Sequence, residues 1–140
     1  MAKKDIQGLT MVELMVCIAI LGIMLSIAFP TISQVSSGYK LRAASRELAT
    51  DLQYARLLAV KENRNFQVVC QSQSYQVIRE NDGFVAKARN FGSDYPDVCL
   101  NAPVITFNSR GNSNSHTITV SNVLGSKTIT VGSTGKVKVQ

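Results

Sequence analysis

Residues 8–30 read GLTMVELMVCIAILGIMLSIAFP, directly after the short basic leader MAKKDIQ. Between positions 9 and 29 the only charge is Glu13, so the stretch supplies the roughly 20 apolar residues with which a helix crosses a bilayer. An ionised carboxylate inside hydrocarbon costs roughly 2.5 kcal/mol or more unless it is paired. Glu13 therefore has two readings: a carboxylate at the headgroup boundary, or one that meets a cation inside an assembly. A cut after Gly8 would place the new α-amine of Leu9 at the membrane surface, where Glu13 of one subunit can pair with the amine of its neighbour. A conventional secretory signal is a third reading of the stretch, since Ser26-Ile27-Ala28 has the small-x-small form of a cleavage site. The run is longer than the usual apolar core of about 7–15 residues, and a glutamate has no place in one.

Outward from this stretch the pattern stays helical. Ile32, Val35, Leu41, Ala44, Leu48, Leu52, Ala55 and Leu58 recur mostly three or four apart, the spacing of one helix face. Arg42, Arg46, Glu47, Asp51, Gln53 and Arg56 fall on the other side, with Glu47 and Asp51 in reach of arginines along the helix. Pro30 removes a backbone donor and crowds the preceding turn, so a kink is expected there, with the helix resuming at once. Continuous from position 9 to about 62, such a helix is roughly 80 Å long at about 1.5 Å per residue.

Asn63 to Asn65 interrupts the helix and the period changes to two. Residues 66–70, 75–80 and 84–88 read as strands, with Asn81-Asp82-Gly83 the turn between the last two. Residues 93–103 read as a loop. Strands are then expected at 104–108, 117–121, 127–131 and 136–139, separated by Gly-rich turns at 110–114, 124–126 and 132–135. Threonine or lysine alternates with valine or isoleucine in these, so each has one wet face. The fold class is α+β: a long N-terminal helix packed on one or two antiparallel sheets. The chain divides into a leader (1–8), a membrane helix (9–29), an amphipathic helix (30–62) and an exterior β domain (63–140).

The exterior part suits one small domain. Lysine and arginine outnumber the acids 15 to 9, which fits weak attraction to phosphate or acidic surfaces. All the acids lie at or before Asp97, whereas Arg110, Lys127, Lys136 and Lys138 follow it, so the last third is purely cationic. Of the three cysteines, Cys17 lies in the apolar run as a small hydrophobe. Cys70 and Cys99 lie in a domain that the membrane argument places in the oxidising periplasm, and a disulfide between them is expected, worth roughly 3–4 kcal/mol in the chain-entropy model. Two separately buried free thiols are the alternative. No Cys/His spacing supports a metal site.

The basic leader, Gly8, LTMVELMV with its glutamate fifth after the glycine, the apolar run and Pro30 together resemble the class III signal of type IV pilins and type II secretion pseudopilins. Leu9 stands where phenylalanine is commonest. The resemblance implies that a prepilin peptidase cuts after Gly8 and N-methylates Leu9, while the apolar helix stays as the filament core. DLQYARLLAVKENRNFQVV, ITFNSRGNS, an ITV strand and the terminal TVGSTGKVKV resemble the FimT/FimU/GspH family of minor pilins and pseudopilins. Membership implies a type IV pilin-like fold and a low-abundance subunit that primes assembly or sits at the tip of a pilus or pseudopilus. It implies other pilins as partners through helix packing, a single pass in the bacterial inner membrane with the C-terminal domain in the periplasm, and no catalysis or cofactor.

The residues by themselves agree with the absence of chemistry. His116 is the only histidine, beginning a strand after an Asn/Ser-rich turn, and no phosphate-binding or nucleophile motif is present. The remaining candidate is a weak DNA contact. Lys136 and Lys138 alternate on a terminal strand and point to one face, with Lys127 and Arg110 as candidates to join them. Some FimT-type minor pilins are associated with DNA capture through such a stretch, which the resemblance extends to these positions. No aromatic residue interleaves to stack bases, and lysines that guard an edge strand against pairing are the structural alternative.

Overall fold

Helix α1 spans Met11–Glu62. Thr10 caps it: its Oγ1 accepts from the Glu13 backbone N–H at 3.3 Å, and its carbonyl accepts from Leu14 N at 3.1 Å. At the other end Asn63 adopts φ +51°. There the Arg64 N–H reaches Ala59 O at 3.1 Å and the Asn63 N–H reaches Val60 O at 3.4 Å, a Schellman ending that satisfies the last carbonyls. The structure, a computed structural model, describes residues 10–140, without the side chains of 27–35. Pro30 lies within the helical span, but the kink expected at it falls among those side chains, outside the described residues. The chain forms two units, Met1–Val35 and Ser36–Gln140, and the sheets belong to the second.

After α1 come β1 (Phe66–Gln71), β2 (Ser74–Arg79), β3 (Val85–Asn90), the single turn α2 (Phe91–Asp94), β4 (Cys99–Asn101), β5 (Ile105–Phe107), β6 (His116–Asn122), β7 (Gly125–Val131) and β8 (Val137–Val139). They form two four-stranded antiparallel sheets, ordered β3-β2-β1-β5 and β4-β6-β7-β8. The expected strands and the Asn81-Asp82-Gly83 hairpin are present within one to two residues. The expected loop at 93–103 is a correction. It holds the end of α2, capped by Asn90, whose side chain accepts from Gly92 N at 2.8 Å, and the edge strand β4. Phe91 anchors the turn in the core, edge-on to Tyr75 and Tyr95 with centroids 5.3 and 5.4 Å away.

Leu41, Ala44, Leu48, Leu52, Ala55 and Leu58 of α1 are buried, as the spacing predicts, together with Ser45, Ala49 and Ala59. Against them lie Phe66, Val68, Tyr75, Val77, Ile105 and Phe107 of one sheet, and Leu100, Val120, Ile118, Ile129 and Val131 of the other. Each large side chain fully buried contributes roughly 1.5–3 kcal/mol of transfer free energy. The alanines and Ser45, whose hydroxyl donates to Leu41 O at 2.7 Å, leave room for the strands to approach the helix.

Asp51 overturns its placement on the wet face. It is buried, accepting from the Tyr75 hydroxyl at 2.7 Å and from Lys87 Nζ at 2.6 Å. Glu47 likewise pairs with Arg89, and Glu62 with Arg79 at 2.7 Å. The partners expected along the helix are thus replaced by cations of β2 and β3, whose register carries Lys87 and Arg89 opposite the buried Val77 and Tyr75. Burial, then the neighbouring carboxylate of Asp51, pushes the Tyr75 phenol well above its ordinary range.

The expected Cys70–Cys99 disulfide is not formed in the structure, where both thiols are free. Cys70 alternates with buried Phe66 and Val68, which puts it on the helix-facing side of β1. Cys99 precedes buried Leu100 and so takes the opposite face of β4. Burial pushes the Cys70 thiol up to about 11, which keeps it protonated and unreactive.

Two turns close on α1 at Arg56. Its Nε donates to Gly111 O at 2.9 Å. Gly135, at φ +73°, packs so tightly that a Cβ there would sit 2.1 Å from Gly111 O. Gly135→Ala is therefore expected to cost ~3 kcal/mol in urea unfolding. Gly83→Ala, at φ +68° with open space around it, should cost only the backbone term of ~1 kcal/mol. In the same assay Asp51→Ala should cost ~3 kcal/mol, because it strands the buried Tyr75 hydroxyl and Lys87 together. Lys87→Ala should cost a similar ~3 kcal/mol, because it leaves the buried Asp51 carboxylate with the Tyr75 hydroxyl alone.

Candidate functional site: an unpartnered helix end and a cationic face

The first candidate region is the start of α1. Every side chain from Thr10 to Ser26 is exposed, with Met11 at 85% and Val12 at 71%. Within its own unit this apolar surface has nothing to cover it among the described residues, and exposed patches of this kind mark membrane or protein contacts. Gly8 and Leu9, the expected processing site, lie outside the described residues, as do Leu9 and the side chains of 27–29 at the ends of the expected span. Among the described residues no helix is long and apolar enough to cross a membrane.

Glu13 is exposed near the helix start, and no cation pairs with its carboxylate among the described residues. Its position has a local component that the sequence reading missed. Thr10-Met11-Val12-Glu13 is a Thr-x-x-Glu capping signature, in which a carboxylate in the first turn favours the positive end of the helix dipole. The cap explains why a helix starts here. It leaves the carboxylate free to meet a cation from outside.

The cations of the last third do not form one patch. Lys136 and Lys138 are exposed and alternate with the inward Val137, so they share the outer face of the second sheet, as their spacing predicts. Arg110 is exposed on the turn that packs against the one preceding Lys136, a turn fixed by Asn108 Oδ1 accepting from Arg110 N and Asn112 N at 3.0 Å each. Lys127 separates from them. It lies opposite buried Val120 and alternates with buried Ile129 and Val131, so it faces the helix. There it lines a cleft of about 340 Å3 with Arg42 and Arg46 of α1 and Val139 of β8. These two arginines were legible as helix-surface cations, but not as neighbours of Lys127, which requires the register of β7 on α1.

His116 is half-buried in β6 opposite Val131, in a strand position with no acid or thiol beside it in the register. Among the described residues no group of His, Cys, Asp and Glu could hold a metal ion. What the described residues present is the uncovered apolar start of α1 and the exposed cations, surfaces suited to contacts.

Comparison with known proteins agrees with this. The sequence pattern of type II transport protein GspH matches residues 44–135, and that of the prokaryotic N-terminal methylation motif matches residues 3–29. By sequence, no curated protein matches the chain. Among solved structures it is similar to the type IV minor pilin FimU of Pseudomonas aeruginosa, with 17% identity over 73% of this chain and 89% of that one and a TM-score of 0.62. A second crystal form of FimU gives 18% identity, 71% and 92% coverage and a TM-score of 0.58. The minor pseudopilin EpsH from the type 2 secretion system of Vibrio cholerae is 10% identical over 72% of this chain and 96% of that one, with a TM-score of 0.60. At these identities the structures show a shared fold, and the sequence patterns supply the family: the chain belongs to the GspH family and is a type IV pilin-like minor pilin or pseudopilin.

Proposed function

We propose that this chain is a minor pilin of the type IV pilus, a structural subunit that primes assembly or sits at the tip. In this reading it is cut after Gly8, methylated at Leu9, held in the bacterial inner membrane by residues 9–29, and drawn into the filament with its β domain on the outside. The observation that carries the reading is the uncovered apolar surface of α1 from Met11 onward, with Glu13, unpaired among the described residues, set into it. A surface of that kind is stable in lipid or against the same helix of other pilins, and Glu13 selects the neighbour that presents a cation at its level. The α-amine of Leu9, which stays cationic when N-methylated, is that cation. Prepilin peptidase and the flanking pilins are the partners.

A role as minor pseudopilin of a type II secretion system is the second reading, favoured by the match to type II transport protein GspH. The two readings share the helix chemistry and differ in the machine served. A weak contact with DNA through Lys136, Lys138 and Arg110 is a further element of the proposal, supported by their exposure and by the lack of any acid after Asp97. Contacts to phosphate alone would be sensitive to salt and blind to sequence.

Glu13→Ala is expected to reduce surface filaments, or secretion if the second reading holds, by about tenfold or more, since an inter-subunit ion pair in lipid is lost. Counting pili and measuring secreted protein in a host carrying the variant tests both. Wild-type levels of each would reduce the chain to an anchored domain with no filament role.

A further inference from the structure

The two sides of the helix treat inward-facing cations differently. On the first sheet, Lys87 and Arg89 occupy positions that face α1, and the helix supplies Asp51 and Glu47 to meet them. On the second sheet, Lys127 occupies the equivalent kind of position on β7, opposite buried Val120 and in line with Ile129 and Val131. Here the helix supplies Arg42 and Arg46. None of these three side chains has a hydrogen-bond or ion-pair partner among the described residues, and no acidic side chain follows Asp97 in the chain. Arg42 and Arg46 are exposed and one helical turn apart, so their mutual repulsion is small, and the half-buried Lys127 aimed at them carries most of the uncompensated charge. A local rule broken without compensation inside the fold points to a compensating group outside it.

We propose that the cleft between α1 and the β7–β8 edge, lined by Arg42, Arg46, Lys127 and Val139, binds a phosphate group, as a free pyrophosphate-type anion or as the phosphomonoester of a lipid headgroup. Two planar guanidinium forks on one helix face can each grip an oxyanion through paired N–H donors, and Lys127 supplies a point charge from the opposite wall. The open cleft of about 340 Å3 leaves room for the group that carries the phosphate. The site is separate from Lys136 and Lys138, which lie on the other face of the same sheet. It does not rest on the filament assignment.

The test uses the full chain in a neutral detergent, titrated with inorganic pyrophosphate and separately with dihexanoyl phosphatidic acid, dihexanoyl phosphatidylcholine being the control lipid. Saturable binding is expected for at least one phosphate probe and not for phosphatidylcholine. Arg46→Gln and Lys127→Met should each weaken it by about tenfold or more, while a Lys136→Gln/Lys138→Gln double variant leaves it unchanged. Binding of phosphatidic acid alone assigns the phosphate to a lipid, and binding of pyrophosphate assigns it to a free anion. Lys127→Met should also melt at or above the wild-type temperature in the absence of probe, because it removes an uncompensated inward charge. No saturable binding of either probe, equal loss in the double variant, DNA retardation without binding of either probe, or a lowered melting temperature for Lys127→Met would each overturn the proposal.

Discussion

Between Leu41 and Ala59 one stripe of α1 has to be covered by two sheets at once, and most other features of the β domain follow from how that is done. The stripe mixes leucine with alanine and serine, so the strands come close over Ala44, Ser45, Ala55 and Ala59 and interdigitate around Leu48 and Leu52. Close packing of this sort leaves little freedom for the connecting turns. Where the turns after β5 and β7 converge on Arg56, only glycine fits at Gly135, with the Gly111 carbonyl at van der Waals distance or less from where a Cβ would be.

Charge organises the flanks of the same helix. Toward β2 and β3, Glu47, Asp51 and Glu62 lock the sheet in register through Arg89, Lys87 and Arg79. Toward β7 the helix carries arginines, and the flank remains positive. The net result is a domain with one electrostatically closed side and one open side. An open cationic flank suits a subunit whose work is to receive partners, and the apolar helix start with its single carboxylate suits the same kind of work at the other end of the chain.

Much of this was legible in the sequence because it rests on periodicity. The 3.6-residue repeat of α1, the switch to period two after Asn63, and the Gly- and Asn-rich turns each report a local constraint that no tertiary contact overrides. What periodicity could not show was partner choice across the fold. Asp51 looks like a surface carboxylate until β3 brings Lys87 and the Tyr75 hydroxyl to it. Cys70 and Cys99 have suitable loop spacing for a bridge, yet strand alternation sends them to opposite faces. Phe91 sits in a stretch that reads as the approach to a polar, Pro-containing loop, and only the aromatic neighbours Tyr75 and Tyr95 make it core. Thr10, by contrast, was available as a Thr-x-x-Glu signature, overshadowed by the stronger signal of Glu13 within an apolar run.

In the proposed function, the helix is freed by proteolysis after Gly8, kept in the membrane and then used for assembly. The most direct test is the intact mass and N-terminal peptide of the protein purified from the membrane of its host. A chain that begins at N-methyl-Leu9 is the predicted result. A chain beginning at Met1, or at Phe29 after conventional signal cleavage, would contradict it and remove the roles assigned to Gly8 and Glu13.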